Sequence, residues 1–314
     1  QLTQTLLPFS TYSRVRYSAF YAQDQWTLGR LTLQGALRFD HAWSYYPEQQ
    51  LGPTRFFPVA AVYPRTDGVD YKDITPRVGV AYDVFGTGKT SLKVNVGQYL
   101  EPASNGNGNY GVNNPTSRLS TTSARTWTDA NRDFVPDCNL LSQEANGECA
   151  RGNLNFGQQV FANTYDPNLL GGWDVRPTDW GVGVSIQQEV LPRVSVEVGY
   201  NRRWLQHFNA TDNRATVSAD YAQFSVTAPL DPRLPDGGGY LVTGLYDVNP
   251  NRFGQTDNYV TASSSFGKRY QRYNGILVNV SARPRNGLTF QGGINAGSTV
   301  TDECEIRAQL PETN

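Results

Sequence analysis

The sequence predicts an all-β chain: one partial domain over residues 1–314, built as an antiparallel, up-and-down, transmembrane β-barrel segment of about eight long strands in four hairpins. Three observations carry this. Apolar and polar residues alternate with period two in four separate places, so each strand has one apolar face. The arms run about eleven to thirteen residues, longer than ordinary globular strands and close to the ~9–11 that cross a bilayer at a tilt. Short turns also alternate strictly with connections of about 31, 78 and 65 residues, the asymmetry of an outer-membrane barrel with short periplasmic turns and long extracellular loops.

Residues 14–28 read as the first strand, with no assignable outer face: Phe20, Ala22, Trp26 and Leu28 share a parity with Asp24, and Tyr17, Ala19 and Tyr21 share theirs with Gln23 and Gln25. The turn Gly29-Arg30 leads into residues 31–41, where Leu31, Leu33, Leu37 and Phe39 alternate with Thr32, Gln34, Arg38 and Asp40. Residues 42–72 form a long loop interrupted by Pro53, Pro58 and Pro64. The second hairpin, residues 73–100, sets Ile74, Val78, Val80 and Tyr82 on one face. It turns at Gly86-Thr87-Gly88-Lys89 and returns through Leu92, Val94 and Val96.

Residues 101–178 are polar and rich in Asn, Gly and Thr. A connection of that length is functional, locally folded, or both. The third hairpin, residues 179–204, turns at Pro192-Arg193, with Val182, Val184, Ile186, Val196, Val198 and Tyr200 on one face. A third long loop, residues 205–269, precedes the fourth hairpin, residues 270–299, whose turn falls around Pro284 to Gly287. Phe39, Trp180, Tyr200 and Trp204 lie toward the long-loop ends, and Trp26, Tyr82 and Phe85 near the short turns, as two aromatic girdles would.

Composition agrees. Charged residues make up 18% of the chain, aromatics 12%, and there are 30 Gly and 18 Tyr, a profile of strands and turns. The net charge of −1 argues against nucleic acid as a partner. No apolar run approaches the ~18 residues of a membrane helix, and a mean hydropathy of −0.51 is compatible with a barrel that keeps polar residues in its lumen and loops. The chain has no Met, so Gln1 is not a translation start. Of three cysteines, Cys138 and Cys149 lie close together in a loop, where a disulfide would stiffen it; Cys304 is left over, either with a partner beyond Asn314, the favoured expectation, or free.

Chemistry-bearing residues are few. His41 and His207 sit at the loop ends of strands with no motif around them, so no enzyme is expected. Asp129, Asn131, Asp133 and Asp137 place oxygen side chains at positions 1, 3, 5 and 9 of a calcium-loop pattern. Position 6 is Phe134 where glycine is usual, position 12 is Leu140, and Glu144 would have to fold back to replace it. A solvated, turn-forming loop reads equally from these residues. On the polar faces, Arg38, Asp40, Arg77, Asp83, Lys93, Asn95, Gln187, Glu189 and Glu197 line the lumen, where they meet a ligand or pair with one another across strands.

The stretches YAQDQWTLGRLTLQGALRFDH (21–41), ITPRVGVAYDVFGTGKTSLKVNVGQY (74–99), VSVEVGYNRRWLQHFNATDN (194–213) and RYNGILVNVSARPRNGLTFQGGINAGST (272–299) together resemble TonB-dependent outer-membrane transporters, in the branch that carries a carboxypeptidase-regulatory-like domain. The resemblance covers about a third of the chain and implies a barrel around a plug domain in the Gram-negative outer membrane. It implies outer-membrane lipid and TonB as partners, and import of a scarce ligand caught by the extracellular loops. A plug is not found in this chain, and the expectation is a middle section of a longer protein. The alternative is a non-transporting binding or adhesin-like barrel; a soluble secreted β protein would require a second sheet over the Val, Ile and Leu faces.

Overall fold

The computed structural model describes residues 1–7, 10–102, 114–161 and 163–313. Eight long strands, numbered in chain order, share one sheet: β1 (Arg14–Leu28), β2 (Leu31–Tyr46), β3 (Thr66–Asp83), β4 (Thr90–Leu100), β5 (Thr178–Leu191), β6 (Val194–Gln206), β7 (Tyr270–Arg285) and β8 (Leu288–Asp302). Each lies beside its neighbours in this order, and a short strand, Gly171–Trp173, adds to β3. The pairs from β3 to β8 are antiparallel throughout. This is the up-and-down order of four hairpins that the alternation predicts.

Turn chemistry explains the short connections. Between β3 and β4 the Asp83 carboxylate accepts from the backbone N–H of Gly86 at 3.0 Å and of Gly88 at 2.8 Å, while both glycines take a left-handed φ. Between β5 and β6, Pro192 precedes Arg193 at φ 66°, a position that glycine usually fills, and Glu189 Oε1 accepts the Arg193 N–H at 3.0 Å. The fourth turn is Asn286-Gly287, within the predicted Pro284 to Gly287. The β7–β8 register shifts between Ala282 and Arg285, so Pro284 falls where the ladder is already broken.

Facing is settled for β1. Thr27 Oγ1 lies 3.4 Å from Thr32 Oγ1 across the Gly29-Arg30 turn, so these two residues are opposite each other. Phe20, Ala22, Trp26 and Leu28 then share a face with Leu31, Leu33, Leu37 and Phe39, with Asp24 the exception on it. Farther along the sheet the same outer face shows direct cross-strand rows: Val184, Tyr200, Ile276 and Ala296, then Ile186, Val198, Val278 and Ile294. These aliphatic side chains stand open, Ile276 at 57% and Ile294 at 75% exposure, a face that only lipid would cover favourably.

The described residues group into two compact units, residues 1–17, 42–70 and 103–162 in one and 18–41, 71–102 and 163–314 in the other. The first gathers Leu6, Leu51, Leu119 and Phe156 into a core with Phe56, Phe57 and Tyr63. It also pairs Leu2–Thr5 with Thr122–Arg125 and Gln49–Leu51 with Ala61–Tyr63. The second unit carries most of the long sheet. It adds a three-stranded sheet of Asn209–Asn213, Asn258–Ala262 and Asn163–Tyr165 and a hairpin of Tyr221–Thr227 with Leu241–Val248. The long polar segments are therefore locally folded. Residues 103–113 and 162, within the predicted 101–178 loop, lie outside the described residues. The first long gap is 47–65 rather than 42–72, because β2 and β3 continue beyond their predicted ends, with Ala42, Ser44 and Tyr46 buried on the one and Val69 and Tyr71 on the other.

Asp166 clamps the three-stranded sheet. It accepts from Asn168 N–H at 2.9 Å and from Thr261 Oγ1 at 2.7 Å, and its own N–H reaches Val260 O at 2.9 Å. The Asn168 backbone N–H, aided by the Thr261 hydroxyl, holds its carboxyl below the usual range. A lowered value stabilises the fold above the ordinary pKa of about 3.9, and that contribution is lost as pH falls through the folded value. Hydrogen exchange of residues 258–262, corrected for intrinsic rate, should rise on acidification below about pH 4. Asp166→Ala should produce the same loss of protection at neutral pH, and an unchanged pattern in that variant would remove the clamp.

Candidate functional site

The inner face of β4 to β6 holds a polar network on the parity opposite the exposed aliphatic residues. Lys93 Nζ donates to Gln187 Oε1 at 2.7 Å and lies 3.7 Å from Glu197 Oε1; Ser185 Oγ donates to Glu197 Oε1 at 2.8 Å. Lys93, Gln187 and Glu197 are thus one cross-strand cluster that neutralises itself. Arg38 Nε donates to both Asp40 oxygens at 3.0 Å, and Arg77 stacks on the Tyr99 ring at 4.8 Å. Asn95 meets Asn201 over Gly183, where a Cβ would come within 2.7 Å of the Asn95 amide and 2.9 Å of the Asn201 amide. Asp83 and Glu189 add a role that alternation does not show. Their parity is lumenal, but at a strand end a carboxylate finds the unpaired N–H groups of the turn first, and both are turn caps.

Toward the long-segment ends of β4 to β8 this face opens into a cavity of about 840 Å³, lined by Asn95, Tyr99, Asp179, Arg203, Tyr273 and Asn295 among others. Arg203 pairs with one oxygen of Asp179, leaving Asp179 Oδ1 buried without a hydrogen-bond partner. Two phenol rings, the amide side chains of Asn95, Asn201 and Asn295 among others, and an ion pair offer flat apolar faces beside donors and acceptors, a lining suited to a polar ligand. Most of these residues continue the parity of Asn95. They were legible as lumenal but not as a cluster, because nothing in strand alternation says which rows stand side by side.

At the cavity rim, His207 takes φ 58°, and its Nδ1 lies 3.2 Å from both Thr178 Oγ1 and Arg176 O. Arg176 Nη2 donates to Asp73 Oδ2 at 2.7 Å, with side chains only 2% and 1% exposed. Asp73 Oδ1 and Arg176 Nε have no hydrogen-bond partner. The same segment is tied by Tyr71 Oη to Leu169 O at 3.1 Å, Asp174 N to Lys72 O at 3.0 Å, and the Phe39–Trp173 ring contact at 5.8 Å. No sequence signal marked Arg176, which sits in irregular chain.

In the other unit, Cys138 and Cys149 form a disulfide; Cys304, in the unit of the long sheet, is free and exposed. The Asp129 carboxylate accepts from the N–H groups of Asp133 at 3.2 Å and Phe134 at 3.1 Å, and Asp133 accepts from Val135 at 2.7 Å. Asn131 Nδ2 bridges Asp133 and Asp137 at 3.0 and 2.9 Å. Glu144 pairs with Arg151 instead of folding back; Glu148 reaches the loop, accepting from Ala130 N–H at 2.7 Å and Asp137 N–H at 3.1 Å. Among the described residues no three His, Cys, Asp or Glu side chains converge as metal ligands would.

A family model described as the outer membrane beta barrel domain matches residues 1–293. The chain is an outer-membrane β-barrel of this family. This barrel chain therefore lies in the outer membrane, and its exposed aliphatic face is its lipid face. In structure the barrel is similar to the outer membrane transporter YddB from Escherichia coli, with 10% sequence identity and a TM-score of 0.37, over 91% of this chain and 34% of that one. It thus spans about a third of that transporter's length. No curated protein matches it.

Proposed function

We propose that the barrel chain is part of the wall of a TonB-dependent importer, binding a scarce ligand on its extracellular side and passing it inward around a plug domain. The observation that carries this reading is the polar inner face opening into the 840 Å³ cavity, where Tyr99 and Tyr273 present rings beside the amides of Asn95 and Asn295. The chain binds and conducts; it is not a catalyst. Deleting its gene should cause a growth defect on one limiting nutrient, the same defect should follow from loss of TonB, and the double mutant should be no worse. A deletion strain that grows normally on every limiting nutrient and loses surface attachment instead would establish the adhesin-like alternative.

The reading requires no cofactor. The oxygens of Asp129, Asn131 and Asp133 already take chain N–H groups, so millimolar calcium should leave protease cleavage within residues 101–151 unchanged. Protection by calcium that a chelator reverses would instead make Asp129, Asn131, Asp133 and Asp137 a cation site.

A further inference from the structure

The inner face of β4 to β7 holds a second cavity, of about 410 Å³, at its short-turn end. Register places its lining. Ser91, Gln187, Glu197 and Asn279 share one row across these strands, and the next row toward the turns carries Glu189, Ser195 and Ser281. At the strand ends Lys89 O accepts the Glu189 N–H at 2.8 Å, and Arg193 O accepts the Arg283 N–H at 2.9 Å. Lys89, Arg193 and Arg283 are all exposed, and they line the cavity with the hydroxyls of Ser91, Ser195 and Ser281.

Charge at this mouth does not cancel as it does farther in, where Lys93 lies 3.7 Å from Glu197. Three cations meet one lining carboxylate, Glu189, whose Oε1 already accepts the Arg193 N–H. Among the described residues Lys89, Arg193 and Arg283 have no ion-pair partner. Asp83, on the row of Ser91, is spent on the Gly86 and Gly88 N–H groups. The Ser195 hydroxyl accepts from Gln187 Nε2 at 3.4 Å and keeps its own proton to donate. Two positive charges are thus left over beside hydroxyl donors. A phosphate monoester carries about −1.5 to −2 at pH 7 on three strong acceptor oxygens, which guanidinium forks and hydroxyls fit. One carboxylate would leave half of that charge unanswered. The cavity has the size of a small-molecule site, more than a free ion needs. It lies on the parity opposite the aliphatic rows, so its ligand arrives through water and not from lipid.

We propose that this mouth binds the phosphoryl group of a small, water-soluble phosphate monoester. The proposal does not rest on the import reading, because binding to the purified protein needs neither TonB nor uptake. The test titrates the intact protein in detergent with glucose 6-phosphate, glucose and inorganic phosphate, read by calorimetry. Glucose 6-phosphate should bind at least about tenfold more tightly than glucose. The triple variant Lys89→Gln, Arg193→Asn, Arg283→Gln should lose that preference; asparagine is chosen at 193 because it tolerates φ 66°. Arg202→Gln with Arg272→Gln, on the outer face of β6 and β7, should keep it. Equal affinity of the unmodified protein for the ester and the sugar overturns the proposal, whether or not the triple variant folds. A preference that survives the triple variant, or is lost equally in the outer-face variant, also overturns it. Inorganic phosphate binding as tightly as the ester would replace the ester by the free ion. A carbodiimide cross-link from Lys89 to a carboxylate of another protein segment would make that segment the occupant instead.

Discussion

Arg176→Ala should free residues 166–178 from the end of β3 at a cost of about 3–5 kcal/mol, the range for breaking a buried ion pair by removing one partner. Among the described residues, the variant leaves the Asp73 carboxylate buried with its one ion-pair partner gone and with Oδ1 already unpaired. Hydrogen exchange should rise across the segment that Tyr71, Lys72 and Phe39 now hold, while the rows of β5 to β8 stay protected. Replacing both partners together, Asp73→Leu with Arg176→Met, should recover most of the protection, because an apolar pair avoids desolvating two charges. Unchanged exchange in Arg176→Ala would show that the pair does not hold the segment.

Cys138→Ser with Cys149→Ser should destabilise the surrounding loop by about 3 kcal/mol, the effect of releasing a short cross-linked loop into the unfolded ensemble. The hydrogen bonds exposed to that change are local: Thr128 N to Glu148 O at 2.9 Å, Glu148 N to Asp137 O at 3.1 Å and Ala150 N to Thr126 O at 3.0 Å. Limited proteolysis should show new cuts between residues 126 and 151, and reductant should reproduce them in the unmodified protein. The Glu148 carboxylate, which accepts two backbone N–H groups of the same loop, makes Glu148→Ala a milder version of this lesion. A cleavage pattern that the serine variant leaves unaltered would mean that the Asx hydrogen bonds alone maintain the loop.

How far the sequence could be read depended on what kind of residue carried the signal. Val78, Val80, Leu92 and Val94 declared their hairpin because aliphatic side chains at period two have one physical use. β2 and β3 were cut short because the buried positions of their extensions, Ala42, Ser44, Tyr46, Val69 and Tyr71, mix small, polar and aromatic side chains, a weaker alternation than a run of Val and Leu. Asp83 and Glu189 read as lumenal by parity, but their hydrogen bonds to turn N–H groups are not legible in alternation. The face of β1 needed one cross-turn contact, Thr27 with Thr32, to resolve.

What the amino-acid sequence determined by itself was the strand count, the hairpin order, the lipid-facing aliphatic set and the outer-membrane setting, all of which follow from local periodicity and connection length. Only the tertiary structure decided which residues meet. Register set Trp180 beside Trp204 and Arg272, folded 103 residues of chain separation into the Asp73–Arg176 pair, and grouped Tyr99, Asp179 and Tyr273 around one cavity. Pairing across strands and long loops is a cooperative choice among many placements of equal local quality, so no single stretch contains it.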